Sequence, residues 1–209
     1  MLRRISKGIR KIIAQRTKNI YKKRFSSRYN GQPISIISSN CIGGIICNRI
    51  GQPQNSPTFN LWIPQRDFIK FISDLPFYLK QDLVFKESQE SKYPVAFCGD
   101  VQINFQHYKS VEDAKYGWEK RKSRIIWDNL FIIMYEDDLN RNELQQLSNV
   151  ICKKIIVLTS STENLDLPFL KYIKRDKRSR ENSEVFLDFD FFGRRTFEKQ
   201  WDYVEWLNS

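Results

Sequence analysis

Leu130-Phe-Ile-Ile-Met-Tyr135, then Glu136-Asp-Asp138, a helical stretch from Glu143 to Val150, and Lys154-Ile-Ile-Val-Leu158 form the passage that decides the fold. Both apolar runs have strand length and lack polar alternation, the pattern of strands covered on both faces. Strand, acidic turn, helix and strand in that order predict a parallel sheet in an α/β domain. Further C-terminal, Lys171 to Arg180 reads as a basic surface segment and Val185 to Asp190 as another strand. Thr196 to Leu207 reads as a final helix with Phe197, Trp201, Val204 and Leu207 turned inward.

Working back from that passage, Ile34-Ser-Ile-Ile-Ser-Ser-Asn40-Cys41-Ile42-Gly43-Gly44 is a short apolar strand that breaks at Asn-Cys and continues through two glycines. A strand ending in such a turn presents its last residues to a ligand, and glycine permits close backbone approach. Gly51 to Pro57 is then an extended loop whose Asn55 and Ser56, with Thr58, offer neutral hydrogen-bonding groups to a pocket. Pro64 marks a helix start, with Phe68, Ile69, Phe71, Ile72 and Leu75 on its inner face. Tyr93 to Cys98 reads as a strand ending at Gly99-Asp100, and Val101, Ile103, Phe105 and His107 alternate with polar residues as a following strand. Ser110, three residues before Asp113, predicts a capped helix carrying Ala114 and Trp118 inward, with Glu119 to Arg124 on its exposed turns.

The expected architecture is therefore a three-layer α/β domain over residues 34–209, mostly parallel, with helices on both faces. A basic arm and linker over 1–33 precede it. Net charge is +11, yet residues 1–28 hold eleven Lys or Arg and no acid, and the remainder balances at 24 cations against 24 acids. A body without surplus charge argues against a nucleic-acid track. Leu2, Ile5, Ile9, Ile12, Ile13 and Ile20 fall near helical spacing among those cations. This is an amphipathic helix suited to an anionic membrane surface, or to docking on its own domain. The expected location is cytoplasmic, peripheral at the inner face of the cell membrane. The four cysteines lack zinc spacing and read as free thiols in a reducing compartment.

Three constellations carry candidate chemistry. Cys41, at a strand end before glycines, suits a nucleophile; His107, the single histidine, suits its base, and Asp100 an orienting acid. Against this stands the ordinary fate of free cysteines, which are mostly buried and inert. Asp188 and Asp190, or Asp137 and Asp138, can instead hold a divalent cation against a diphosphate, as metal-dependent nucleotide-sugar glycosyltransferases do. A third reading is a non-catalytic glycan-binding or scaffold protein, in which Cys41 and His107 lie apart.

Asn40-Cys41-x-Gly-Gly, Asn55-Ser56-Pro57-Thr58, Tyr93-Pro94, Gly99-Asp100, His107-Tyr108, Trp127-Asp128-Asn129-Leu130-Phe131 and Asp202-Tyr203-Val-x-Trp206-Leu207-Asn208 resemble the bacterial domain of unknown function 1919 family. The resemblance covers roughly residues 34–208. It implies an α/β domain and a setting among exopolysaccharide and capsule genes, without an established reaction. The Asn-Cys pair is also similar to the Gly-Asn-Cys-Gln start of a capsule-biosynthesis acetyltransferase-like family, with Ser39 and Ile42 in place of its glycine and glutamine. That second resemblance implies Cys41 as carrier of an acyl group from an acyl-coenzyme A donor to a sugar hydroxyl. His107 would then be the base, the Gly43 and Gly44 amides would bind the oxyanion, and a glycan or lipid-linked saccharide would be the substrate.

Overall fold

The computed structural model describes residues 17, 19–86, 91–164, 166–175 and 194–209. Its centre is a parallel four-stranded sheet in the order β1-β5-β6-β7: Ser35–Ser38 (β1), Leu130–Tyr135 (β5), Lys154–Thr159 (β6) and Leu170–Tyr172 (β7). The register sets Ile37 beside Ile132 and Ile132 beside Ile155. On β5, Leu130, Ile132 and Met134 face one hydrophobic core while Phe131 and Ile133 face the other. Two-residue periodicity divides one unbroken apolar run between two covered faces, so the run shows no alternation.

One face is covered by the helical residues 19–26 (α1), Ile42–Ile50 (α2), Thr196–Gln200 (α7) and Tyr203–Asn208 (α8). The opposite core takes Gln65–Ser73 (α3), Leu75–Tyr78 (α4), Val111–Lys122 (α5) and Arg141–Ser148 (α6). The predicted cap on α5 forms, with Ser110 Oγ accepting the Asp113 amide. On α6 Asn140 and Glu143 make a reciprocal capping box. The three-layer parallel architecture is thus present.

Four features depart from the expectation. The strands near residues 95 and 101 are not in the parallel sheet. Val95–Cys98 (β3) and Val101–Asn104 (β4) form a hairpin that pairs with Leu83–Lys86 (β2) in a separate antiparallel sheet. The final helix is broken at Trp201 and Asp202, where an extended Trp201 restarts the chain as α8. The segment beginning at Lys171 contributes to strand β7. Packing also reaches N-terminal of Ile34, since Phe25 and Tyr29 are buried with Tyr203 in the second core and the Phe25 and Tyr203 ring centroids lie 5.0 Å apart. The docked-helix alternative holds for α1. Residues 1–16 and 185–190, with the expected membrane-facing stretch and the Asp188/Asp190 pair, lie outside the described residues.

Candidate functional site

Cys41 stands at the C-terminal end of edge strand β1, as the residue that caps α2. Three polar side chains set this corner. Asn40 is buried and its Oδ1 accepts the Ile42 amide at 3.1 Å. Ser38 Oγ donates to the Asn40 carbonyl at 2.7 Å and accepts the Gly43 amide at 3.2 Å. Thr58 Oγ1 accepts the Ser38 amide at 3.0 Å, satisfying the open edge of β1. The turn is held from three directions, and Cys41 is left half-buried at the positive end of the α2 dipole.

His107 arrives from the other sheet. Trp62 and Asn104 exchange backbone hydrogen bonds of 2.8 Å each, and the Ile63 amide donates to the Ser39 carbonyl at 2.9 Å. Residues 62 and 63 thereby stitch the end of β4 to the end of β1. Beyond Asn104 the chain turns, with the Tyr108 amide donating to the Phe105 carbonyl. His107 sits in that turn, exposed, rather than on the inner face of a strand. Its Nε2 lies 3.3 Å from Cys41 Sγ. The strand ends have brought the thiol and the imidazole into hydrogen-bond contact.

The other expected members are elsewhere. Asp100 precedes β4 while His107 follows it, and four strand residues at about 3.3 Å each keep them more than about 10 Å apart. Asp100 is taken by Lys70 Nζ and the Tyr78 hydroxyl, both at 2.9 Å. Among the described residues no carboxylate touches the His107 ring, and the two that meet there, Cys41 and His107, form a dyad. Asn55 and Ser56 bond within the fold: the Asn55 carbonyl accepts Ser35 Oγ at 2.6 Å, and Ser56 is buried against Thr58 Oγ1 at 3.0 Å. They fasten the loop to β1. Gly43 cannot supply an oxyanion donor while its amide bonds Ser38 Oγ, and a Cβ there would come within 2.7 Å of that oxygen. At Gly44 a Cβ would meet Phe59 Cε2 at 2.5 Å. The two glycines are required by close packing.

Asp137 is also engaged. It accepts from the Ser160 hydroxyl at 2.6 Å and from Thr159 Oγ1 at 3.2 Å, and it pairs with Arg175. Burial pushes its carboxyl up, but bonds from Ser160, Arg175 and Tyr135 outweigh this and hold it below the ordinary range. No cluster of His, Cys, Asp or Glu suited to a metal occurs among the described residues.

Beside the dyad opens a groove of about 580 Å³ lined by His107, Tyr108, Lys109 and one face of α5. Asp113, Tyr116, Gly117, Lys120 and Arg121 share that face because they recur at intervals of three and four residues, and Arg124 joins the lining just past the helix end. Arg121 donates to the Tyr108 hydroxyl at 2.7 Å and to the Gly117 carbonyl at 3.0 Å, and its guanidinium lies 4.9 Å from the Phe59 ring centroid. Burial lifts the Tyr108 phenol above its usual range, with Arg121 pulling the other way. Gly117 makes room for this contact: a Cβ there would come within 2.8 Å of both Arg121 Nη1 and Tyr108 Cε1.

The model of the domain of unknown function DUF1919 matches residues 12–208. This chain belongs to the DUF1919 family. An uncharacterised protein of Haemophilus influenzae (strain ATCC 51907 / DSM 11121 / KW20 / Rd) is 30% identical over 204 residues, covering 96% of each chain. The match starts before Ile34, in keeping with the docking of Phe25 and Tyr29 onto the domain. In this DUF1919 chain, sequence reasoning found the thiol and the imidazole but assigned residues 119–124 to a solvated helix face. The three-and-four spacing of Asp113, Tyr116, Lys120, Arg121 and Arg124 behind His107-Tyr108 was the available signal.

Proposed function

We propose that this DUF1919 chain is an acyltransferase of cell-surface polysaccharide biosynthesis, with Cys41 as the acyl carrier and His107 as its base. The observation that supports the reading is the 3.3 Å contact between Cys41 Sγ and His107 Nε2 at a strand end, beside a groove. A nucleophile in contact with a base is the element such chemistry needs. Cys41 also occupies the N-cap position of α2, at the positive end of the helix dipole, although its side chain makes no capping hydrogen bond.

In the first step, His107 holds the Cys41 proton while the sulfur attacks the carbonyl carbon of a donor thioester. A new C–S bond forms, the donor's C–S bond breaks, and the departing thiolate takes the proton from His107. In the second step His107 accepts the proton of a sugar hydroxyl, whose oxygen attacks the acyl carbon. An ester forms and Cys41 leaves as thiolate, regaining the proton. The glycan acceptor rests on the gene setting that the first resemblance implies and the coenzyme A donor on the second resemblance; the dyad speaks to the acyl step. The non-catalytic alternative expects Cys41 and His107 to lie apart, and their contact favours the acyl reading over it. Among the described residues no helix is long and apolar enough to cross a membrane, and a peripheral location through the N-terminal arm belongs to the same proposal.

The test is intact-protein and peptide mass spectrometry after incubation with acetyl-coenzyme A and longer acyl-coenzyme A donors. The expected result is one acyl group on the Cys41 peptide, released by added capsular oligosaccharide. It is absent in Cys41→Ala, and His107→Gln slows its formation by about 10²–10⁴-fold. No adduct with any donor, or an adduct that persists in Cys41→Ala, overturns the assignment.

A further inference from the structure

The groove beside the dyad has a charge pattern that acyl chemistry alone does not require. Its lining carries four cations, Lys109, Lys120, Arg121 and Arg124, against one carboxylate, Asp113. Several cations elsewhere are neutralised: Lys70 pairs with Asp100, Arg28 with Asp202 and Arg175 with Asp137. On α5 itself Lys122 pairs with Glu119 at 2.8 Å, on a different face from the groove. Lys109, Lys120, Arg121 and Arg124 make no ion pair among the described residues. Four cations without a carboxylate partner thus converge on one cavity.

Arg121 is the fixed point of that patch. Its bonds to Tyr108 and Gly117 use Nη1, and Phe59 stacks on the guanidinium. An arginine held by rings and by neutral acceptors keeps its full charge and has donors left for an anion. Lys120, by contrast, is exposed; its ammonium reaches the Tyr116 hydroxyl at 3.2 Å and lies 5.1 Å from the Tyr116 ring centroid. From Asp113 to Arg121 the helical wall extends about 12 Å at 1.5 Å per residue. That length admits an extended ligand with more than one phosphoryl group. Tyr116, 67% exposed on the same wall, offers a ring face to whatever the phosphates carry.

We infer that the α5 groove is a binding site for the diphosphate group of a substrate, placing the rest of that molecule at Cys41 and His107. The site's role rests on the transferase reading, but its affinity for the anion does not. Two diphosphate sources fit: the nucleotide portion of an acyl-coenzyme A donor and the diphosphate of a polyprenyl-linked saccharide acceptor.

The experiment is titration calorimetry of the full chain with inorganic pyrophosphate at low and moderate salt. It is repeated on Cys41→Ala and on the double variant Lys120→Gln/Arg124→Gln, whose residues are exposed and make no buried contact. Saturable binding, equal in Cys41→Ala and weakened at least tenfold in the double variant, is the expected result. Undiminished binding in the double variant places the anion elsewhere and overturns the site, as does no binding at all. Because Cys41→Ala retains the groove, pyrophosphate binding survives even if acyl transfer fails. Competition then names the source: displacement by coenzyme A assigns the groove to the donor, and displacement by a short-chain polyprenyl diphosphate assigns it to the acceptor. Displacement by neither, with pyrophosphate bound, overturns the placement of a substrate there.

Discussion

Arg49 Nε donates to Glu198 Oε1 at 2.8 Å, with the two side chains only 8% and 0% exposed. The pair joins the last turn of α2, the helix that presents Cys41 at its other end, to α7 near the C-terminus. Glu198 also caps its own helix by accepting the Arg195 amide at 2.7 Å, and the Tyr203 hydroxyl approaches it at 3.4 Å. Removing one partner of a buried pair leaves the other charge in a medium that cannot solvate it.

Glu198→Ala is therefore expected to destabilise the fold by about 3–5 kcal/mol. Urea unfolding reads this, and the double change Arg49→Met/Glu198→Leu is expected to recover a large part of the loss. Asp100→Asn, which breaks the exposed pair with Lys70, should leave the midpoint almost unmoved. Equal losses in the two single variants would remove the distinction between buried and exposed pairs.

Thiol chemistry should separate the four cysteines. Burial pushes the Cys47 thiol up to about 12 and the Cys98 and Cys152 thiols up to about 11, so each is protonated near neutral pH. Cys41 is half-buried and in contact with His107. Iodoacetamide in native buffer should label Cys41 first, and His107→Ala should slow that labelling several-fold while leaving the other three unchanged. Peptide mapping over a time course decides it; Cys152 reacting ahead of Cys41 contradicts the order.

Gly44→Ala tests the packing beneath the groove. The new methyl would lie 2.5 Å from Phe59 Cε2, and the ring has to yield together with the Arg121 guanidinium stacked on it. Overpacking of this size costs about 1–2 kcal/mol. Thermal melts should show the loss, and Phe59→Leu in the same background should restore part of it. A neutral Gly44→Ala would mean the ring swings aside freely.

Acid stability should depend on Asp137. Its folded-state carboxyl is held below the ordinary value, so its contribution is fully present above the unfolded carboxylate range. That contribution is lost as pH falls through the lower, folded value. Asp137→Asn should flatten the acid limb of a stability-against-pH curve and change the neutral region less. An unchanged acid limb would show that the bonds from Ser160 and Arg175 do not favour the ionised form.

The N-terminal arm is best tested by a short deletion. Removing residues 1–28 would strip Phe25 from the second core and confound any binding result with unfolding. Removing residues 1–16 leaves the docked part of α1. Under the peripheral-membrane proposal the full chain sediments with anionic vesicles in a salt-sensitive manner and the shorter deletion does not. Equal sedimentation of both excludes residues 1–16 as the anchor.

Much of the fold is readable locally. Unbroken apolar runs at 130–135 and 155–158 announced strands covered on both faces, and Ser110 marked a helix start through an interaction within one turn. Sheet membership was harder to read. Val95–Cys98 and Val101–Asn104 have the strand pattern of either sheet, and it is the structure that joins them as a hairpin through the turn at Gly99-Asp100, with Gly99 at φ +61°. Candidate site residues divide in the same way. Cys41 and His107 were identified by chemical type and strand end, but so was Asp100, and Asn55 and Ser56 were chosen as polar loop residues; all three make structural bonds elsewhere.

By itself the sequence determined the features set by contacts within a few residues: the two-faced strands, the α5 cap, the sharp turn after Asn40 and the concentration of charge in residues 1–28. The meeting of Cys41 with His107, the loss of Asp100 to Lys70 and Tyr78, and the cationic groove along α5 were decided only by tertiary structure. These depend on which strand ends are stitched together by Trp62 and Ile63, Trp62 reaching Asn104 across 42 positions of chain. Local pattern specifies where a side chain can point, but a partner that distant is chosen by how the two sheets and their helices bury their common core.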